Sequence, residues 1–258
     1  MSALTSLVLA AEPTSVWEWL GDSSQRTVTG PIPENLWITL WHSVVAGAFA
    51  VAVAVPVATW LAHHRRAEVV SGWLVNLGRI IPTITILAVT VVISLRNGLG
   101  FAPWPILFAL TVLAIPPIFA NTYTAIREAP AGAVDSARAM GFSEGQIMRR
   151  VELPLGLPVI LTGIRVALTQ LVATEALGAL FGGGGLGIYV RFGFAGDDIY
   201  EIQAGALLVA ATAMGVDAVM WLISRLVTPK GVRAPTRARR LRTWRRAPAT
   251  VQPVSPPA

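Results

Sequence analysis

Long apolar runs, each close to the length of a membrane-spanning helix, are the feature that most constrains how this chain can fold. A hydrocarbon core of about 30 Å requires roughly 20 consecutive apolar residues in a helix. The sequence contains about five such runs, near residues 37–62, 70–94, 103–124, 157–180 and 203–227. Because a helix satisfies its own backbone hydrogen bonds inside lipid, these runs predict an all-α integral membrane protein with about five transmembrane helices.

The composition agrees with a membrane protein. Hydrophobic residues make up 54% of the 258 residues, charged residues 13%, and the mean hydropathy is +0.62. The chain has no cysteine, which excludes disulfides and thiolate metal sites. The opening "MSALTSLVLAAEP" lacks a basic n-region, so the sequence does not favour a cleaved signal peptide.

Basic residues fall unequally on the two sides of the predicted spans. Most of the 20 Lys and Arg residues lie near Arg65, between the third and fourth runs, and after Arg225. The segments that alternate with these hold only Arg26, Arg96 and Arg191. The excess of positive charge on the cytoplasmic side predicts that the amino terminus is outside and the carboxyl terminus is cytoplasmic.

The chain is predicted to have three parts. Residues 1–36 form an extracytoplasmic amino-terminal segment, 37–228 a transmembrane domain, and 229–258 a basic and then proline-rich cytoplasmic tail that we expect to be disordered. The basic part of the tail would suit either nucleic acid or anionic lipid. Its place beside a membrane exit favours lipid, and we expect no nucleic-acid partner.

The segment "DSARAMGFSEGQIMRRVELPLG" between the third and fourth long runs is too polar to span a membrane. Its first part predicts a short helix with Ala133, Ala137 and Met140 on one face. Asp135 is expected near the amino end of this helix, where a carboxylate is favoured. Gly141 is expected to end it in the left-handed conformation.

A second short helix is predicted to follow Gly141. Ser143 and Gln146 have the spacing of a capping box, in which each side chain bonds to the backbone N–H of the other residue. Pro154 is expected to end the helix at the membrane surface. The residues that this helix is expected to bury are Ile147, Met148 and Val151.

The spacing in this segment resembles the signature loop of permease subunits of binding-protein-dependent ABC importers, in which E-A-A, Gly and Ile-x-Leu-Pro follow at fixed gaps. The matching residues are Asp135, Ser136, Ala137, Gly141, Val151, Leu153 and Pro154. The departures are Asp for Glu, Ser for Ala and Val for Ile. The resemblance implies the MetI-like permease fold, with residues near 128–156 as a cytoplasmic coupling helix that docks into a groove on an ATPase.

Further stretches resemble one branch of that family. "NTYTAIREA", "ELPLGLPVILTGIR" and "GALFGGGGLG" are similar to permeases for glycine betaine, choline, carnitine and related quaternary ammonium osmoprotectants. The resemblance implies the membrane-spanning subunit of an ATP-driven importer, to which a separate protein delivers the solute. Relatives that move methionine share the architecture, so a permease for methionine or another amino-acid-like solute is the alternative.

The resemblance also implies partners and a location. These are two cytoplasmic ABC ATPase subunits, a second permease chain that is identical or related, and an extracytoplasmic solute-binding protein, in the plasma membrane of a prokaryote. The sequence has no G-x-x-x-x-G-K-[ST] phosphate loop, so we expect ATP and Mg²⁺ on the ATPase and no cofactor in this chain. "GGGGLG" lacks a basic partner at phosphate-loop spacing and is interpreted as an outer turn or gate element.

Four charged residues lie within or near the runs: Arg79, Arg165, Glu175 and Asp217. Counting ~1.5 Å per residue, the two arginines and Asp217 lie at similar depths of about 12–15 Å from the inner ends of their helices. An unpaired charge there is costly, so we expect Asp217 to pair with one of the arginines, either to fix packing or to gate the pathway. Glu175 is expected near the outer face, either attracting a cationic head group or in water.

Other polar and aromatic residues have simpler interpretations. His63 and His64 at a cytoplasmic helix end are expected to contact only the helix dipole and lipid head groups, and no metal site is predicted. Tryptophans at an interface typically form an aromatic belt. The residues assigned to this belt are Trp17, Trp19, Trp37 and Trp41.

Two different classes of protein remain as alternatives to an ATP-driven permease. Acids within spans, such as Glu175 and Asp217, would suit an integral membrane enzyme. The sequence has no paired carboxylates, HExxH or serine–histidine arrangement at catalytic spacing. A passive channel would have no use for a coupling loop. ATP-dependent accumulation of solute in vesicles would separate these alternatives.

Overall fold

The computed structural model describes residues 15–22, 29–64, 82–101 and 103–228, and all structural statements below concern these residues. Every regular element in them is helical, as predicted for an all-α protein. Arg79 and the tail 229–258 lie outside the described residues.

The helices, in chain order, are α1 Val16–Gly21, α2 Ile32–His63, α3 Thr83–Arg96, α4 Trp104–Arg127, α5 Ala131–Ala139, α6 Glu144–Ile147, a π-helix Met148–Glu152, α7 Leu153–Glu175, a 3₁₀ helix Ala176–Phe181, α8 Gly187–Gly196 and α9 Ile199–Val227.

Four helical segments are long and apolar enough to cross a membrane. Their most apolar stretches have mean hydropathies between 1.7 and 2.2. α3 is a shorter apolar helix of 14 residues and covers the end of the predicted second span, of which residues 70–81 lie outside the described part. The four segments are Ile32–His63, Trp104–Arg127, Glu144–Phe181 and Ile199–Val227.

The core is built around α4, which packs against α2, α3 and α7. α2 meets this core through a stripe of alanines at every fourth position, which brings the helix backbones close together. The stripe is fully buried, with exposures between 0% and 2%. Its members are Ala46, Ala50, Ala54, Ala58 and Ala62.

Glycines bring α7 equally close to its neighbours. A Cβ at Gly163 would lie 2.6 Å from Cβ of Asn121 and 3.1 Å from the carbonyl oxygen of Pro117, both on α4. On the other side of α7, Leu168 would lie 2.5 Å from a Cβ at Gly47 of α2. At Gly163 α7 therefore lies against the backbone of α4, and at Gly47 a leucine side chain of α7 lies against the backbone of α2.

A second apolar cluster joins α1, α8 and α9. Trp19 is 1% exposed and packs edge to face on Tyr189, with ring centroids 5.5 Å apart. The prediction that Trp19 belongs to an interfacial belt is therefore wrong, because α1 folds back onto the protein. Trp17, on the opposite side of the same short helix, is 73% exposed.

The long helices alternate in direction, which gives the bundle two distinct ends. The carboxyl ends of α2 and α4 and the amino end of α7 meet at one end, together with α5 and α6. We call this the coupling-loop end. The other end holds the amino end of α2, the carboxyl end of α7 and the glycine-rich turn 182–186, and we call it the glycine-turn end.

Candidate functional sites

The predicted coupling loop, near residues 128–156, contains two short helices joined at Gly141. α5 ends in a Schellman motif, in which N–H of Gly141 donates to the carbonyl of Arg138 at 3.0 Å and N–H of Phe142 donates to that of Ala137 at 3.1 Å. Gly141 has φ +84°, and a Cβ there would meet nothing within 4 Å. Glycine is therefore required by backbone conformation and not by crowding, as the sequence predicts.

The second short helix begins as predicted. Ser143 and Gln146 form a capping box, in which Oε1 of Gln146 accepts from N–H of Ser143 at 2.9 Å. Ile147 is fully buried beneath the helix. Both observations fix the direction in which α6 leaves the turn.

Pro154 does not end the second helix, and that prediction is wrong. The chain runs without a break from α6 through the π-helix into α7, where Pro154 occupies the first turn. The π-helix ends just before the proline, with N–H of Leu153 donating to the carbonyl of Met148, and proline is tolerated in the first turn of the α-helix that follows. The coupling loop is therefore continuous with a membrane-spanning helix.

The other signature residues divide between a buried and an exposed side of the loop. Ala137 is 1% exposed, and Val151 and Leu153 are half-buried, whereas Ser136 is exposed. Met140, the C-cap residue of α5, is 69% exposed. The loop is anchored by its small and apolar residues and presents its other side outward.

Asp135 lies in the middle of α5 and not in its first turn, where the sequence placed it. Its carboxylate lies 3.3 Å from Nη1 of Arg138. Arg138 also donates to Glu144 through Nε at 2.9 Å and Nη2 at 3.1 Å. The hydrogen bonds and charge of Glu144 raise the pKa of Arg138 above its usual value, so this link between the two short helices is permanently charged.

His63 contacts the coupling loop, which the sequence did not indicate. Its Nδ1 lies 2.6 Å from Oε2 of Glu152, and its Nε2 lies 3.4 Å from Oε2 of Glu144. His63 and Glu152 are 89 residues apart in the sequence. The prediction that His63 contacts only the helix dipole and head groups is therefore wrong, whereas the exposed His64 bonds within its own helix, to the carbonyl of Trp60 at 2.8 Å.

Within the membrane-spanning region, Arg165 of α7 pairs with Asp217 of α9. Nε of Arg165 donates to Oδ1 of Asp217 at 2.5 Å, and Nη2 donates to Oδ2, so the pair is bidentate. Thr169, one turn further along α7, lies 3.5 Å from Oδ1. The side chains remain 32% and 38% exposed, so the pair lies on an open face of the chain. Arg79, the other candidate partner, lies outside the described residues.

Glu175 is fully buried, which contradicts its placement in water or within reach of a cationic head group. Its Oε2 accepts from Oγ1 of Thr39 at 2.8 Å, and its Oε1 lies 2.8 Å from Nδ1 of His42. Thr39 Oγ1 also accepts from the backbone N–H of Leu186 at 2.9 Å. A buried carboxylate needs such partners, because desolvation of an isolated charge is costly.

The glycine-rich turn closes over this buried cluster. Gly185 has φ +76°, and a Cβ there would lie 2.7 Å from Oγ1 of Thr39 and 2.8 Å from either oxygen of Glu175. The absence of a side chain at this position is what lets the turn approach the carboxylate. The turn lies at the glycine-turn end of the bundle, and its partner is a buried acid.

A sequence signal for the partners of Glu175 does exist. Asn35, Thr39 and His42 precede Ala46 on the same face of α2, at helical spacings of three and four residues. Polar residues that continue a buried alanine stripe are expected to be buried themselves and to need a partner. Which partner they meet cannot be read from that spacing, because Glu175 is 133 residues from His42.

No group of three or more His, Asp or Glu side chains arranged for a metal ion is present among residues 15–22, 29–64, 82–101 and 103–228.

Residues 50–231 match the family described as binding-protein-dependent transport system inner membrane component. The carnitine transport permease protein OpuCD of Listeria monocytogenes is 34% identical over 206 residues, which cover 79% of this chain and 90% of that protein. The choline transport system permease protein OpuBD of Bacillus subtilis is 37% identical, with coverages of 70% and 78%. The glycine betaine/carnitine/choline transport system permease protein OpuCD of the same species is 37% identical, with 72% and 80%.

A solved structure is also similar. The inward-facing MetNI methionine ABC transporter superposes with a TM-score of 0.68 at 28% identity, covering 77% of this chain and 96% of that chain. The helical permease architecture implied by the signature loop is thereby confirmed.

Proposed function

The chain belongs to the inner membrane components of binding-protein-dependent transport systems, and on that premise we propose that it carries a quaternary ammonium osmoprotectant such as glycine betaine, choline or carnitine. It is the transport subunit of an importer, and ATP hydrolysis lies in a separate partner. A solute-binding protein is a further partner of such a system.

The observation that supports coupling to an ATPase is the geometry of the coupling loop. Two short helices meet at Gly141, expose Asp135 and Ser136, and continue without a break into α7. A surface rigidly joined to a membrane helix is suited to receive a force from a docked ATPase. ATP and Mg²⁺ are proposed to bind two such ATPases, and no cofactor is proposed for this chain.

The identity of the solute is supported by relatives of the chain. The proteins named for carnitine, choline and glycine betaine transport are 34% to 37% identical to it, whereas the methionine transporter structure is 28% identical. A permease for methionine or another amino-acid-like solute remains the second candidate. Only the similarity of fold to the methionine transporter structure supports it.

The solute route is proposed to pass the face of α9 that carries Asp217. Of the 29 residues of α9, only Ala204 and Gly205 are buried, and the Arg165–Asp217 pair is partly exposed within the membrane-spanning region. Lipid is a poor neighbour for such a pair, because an intramembrane charge normally faces a bundle interior or a water-filled cavity. A second permease chain, identical or related, would cover this face and enclose the route.

The two ends of the bundle are proposed to lie on opposite sides of a prokaryotic plasma membrane. The excess of basic residues at the coupling-loop end supports a cytoplasmic location for that end, with the carboxyl terminus there and the amino terminus outside. The glycine-turn end would then face the solute-binding protein. A reporter fused after Thr228 and a second one ahead of Val16 test this orientation directly.

The function is tested by uptake into proteoliposomes that contain the permease, its partner ATPase and its binding protein. We expect ATP-dependent accumulation of labelled choline, carnitine or glycine betaine that is not displaced by an excess of methionine. Accumulation of methionine alone would replace the proposed solute. Equilibration without ATP would indicate a passive channel.

A further inference from the structure

The carboxyl end of α2 is held to the coupling loop through both ring nitrogens of His63. Glu152, which contacts Nδ1, is the last residue of the π-helix, whereas Glu144, which faces Nε2, is the first residue of α6. One side chain therefore joins the first long helix to both ends of the α6–π segment. The Arg138–Glu144 bonds extend this connection to α5.

The contact with Glu152 is shielded from water. The side chains of His63 and Glu152 are 8% and 9% exposed, whereas that of Glu144 is 57% exposed. Nδ1 of His63 is within hydrogen-bond distance of the Glu152 carboxylate, whereas Nε2 faces Glu144 at the longer distance of 3.4 Å. Charge-assisted hydrogen bonds away from water are among the stronger polar contacts, so α2 and the π-helix are expected to move together.

The same helix is bound to the glycine turn at its other end. Thr39 contacts both Glu175 and N–H of Leu186, and His42 contacts Glu175. His42 and His63 are separated along the helix by roughly 30 Å at 1.5 Å per residue. Between them runs the alanine stripe described above. α2 thus has a polar attachment at each end and close backbone packing along its middle.

We propose that His63 is a positioning residue that passes the displacement of the coupling loop to α2, and through α2 to the glycine turn at the opposite end. The inference rests on the proposed function, because it requires an ATPase docked on the loop. His63 acts on transport through the position of α2 and not through contact with solute or ATP. The Glu152 contact transmits the displacement, and the Glu144 contact keeps the ring aligned.

Two variants and one matched control test this assignment. His63→Ala removes the ring, and Glu152→Gln weakens the contact, because a hydrogen bond to a neutral amide of the same shape is roughly half as strong as one to a carboxylate. His64→Ala is the control, because His64 is the adjacent residue and bonds within its own helix. All are reconstituted with the ATPase and the binding protein, and solute uptake and ATP hydrolysis are measured in the same vesicles.

We expect ATPase binding and hydrolysis to persist in His63→Ala and Glu152→Gln, with solute taken up per ATP reduced by about 5- to 150-fold, the range of typical coupling energies. His64→Ala should match the unsubstituted protein. If His63→Ala fails to assemble, the shape-preserving Glu152→Gln decides. A normal uptake-to-hydrolysis ratio in Glu152→Gln would overturn the proposal.

A distance measurement separates transmission from a merely structural role. The chain has no cysteine, so spin labels can be placed uniquely in the permease at Trp37 of α2 and Phe194 of α8, both exposed. The distance between the labels should change when nucleotide is trapped, and this change should be lost in Glu152→Gln but kept in His64→Ala. An unsubstituted complex without ATP-dependent uptake would instead contradict the proposed function and leave no displacement to transmit.

Discussion

Gly185 lies so close above Glu175 that a Cβ at residue 185 would stand 2.8 Å from both carboxylate oxygens. The glycine turn is therefore shaped around a buried acid, and its conformation depends on a residue at the far end of α7. Any side chain at position 185 has to displace either the turn or the carboxylate.

Gly185→Ala tests this relationship. We expect it to lower the free energy of unfolding by about 1–3 kcal/mol through overpacking, in addition to the cost of positive φ, and to reduce uptake. Gly184→Ala is the matched control, since Gly184 also has positive φ, at +70°, but its Cβ would meet Ile38 only at an ordinary 3.6 Å. Thermal unfolding of the purified protein compares the two variants. An equal loss of unfolding free energy in both would contradict a close packing of residue 185 against Glu175.

Glu175 itself should be intolerant of truncation. Glu175→Ala leaves Thr39 and His42 buried without their partner, and breaking a buried pair typically costs about 3–5 kcal/mol. Glu175→Gln retains an amide that can bond to both groups, so its loss should be smaller. Assembly in the membrane and thermal unfolding measure both variants. A fully stable Glu175→Ala protein would contradict the role of this acid as the centre of the cluster.

The Arg165–Asp217 pair is expected to respond to charge reversal. Asp217→Arg places two arginines together in the membrane-spanning region, where each unpaired charge costs at least about 2.5 kcal/mol, so assembly or uptake should be abolished. Combining it with Arg165→Asp restores opposite charges and should recover part of the uptake. Failure of the double variant to recover any function would mean that the orientation of the pair matters and not only its neutrality.

Gly141→Val tests whether the turn in the coupling loop matters for coupling to the ATPase, beyond the general cost of a strained backbone. A β-branched residue at φ +84° costs on the order of 1–3 kcal/mol and should redirect α6. Gly98→Val is the control, because Gly98 also has positive φ and open space around it but lies between α3 and α4, away from the coupling loop. Uptake and co-purification of the ATPase should fall for Gly141→Val only, and equal effects would assign the loss to general instability.

The parts of the molecule that sequence could predict are those set by near neighbours in the chain. The apolar runs predicted the long helices, and Gly141, Ser143 and Gln146 predicted the turn and the cap, because such features depend on a few adjacent residues. Pro154 was misread for the same reason: the local rule that proline ends a helix does not apply where proline occupies the first turn of the next helix, as it does here.

Long-range partners could not be predicted in the same way. The sequence identified Asp217 and Arg165 as charges that needed partners, because both lie in apolar runs where burial is costly. It gave no such reason for His63, which lies at a helix end where water is an equally good partner. Trp19 was misplaced because the folding back of α1 depends on Tyr189, which is far along the chain.

The alanine stripe along α2 has a mechanical consequence. Alanine has no rotamers, so the residues of the stripe are buried without loss of side-chain entropy. For the same reason, the stripe itself offers no side chain that can change rotamer to absorb a small shift. The stripe therefore cannot adjust gradually to a shift. We expect α2 either to move together with the helices that it contacts or to separate from them.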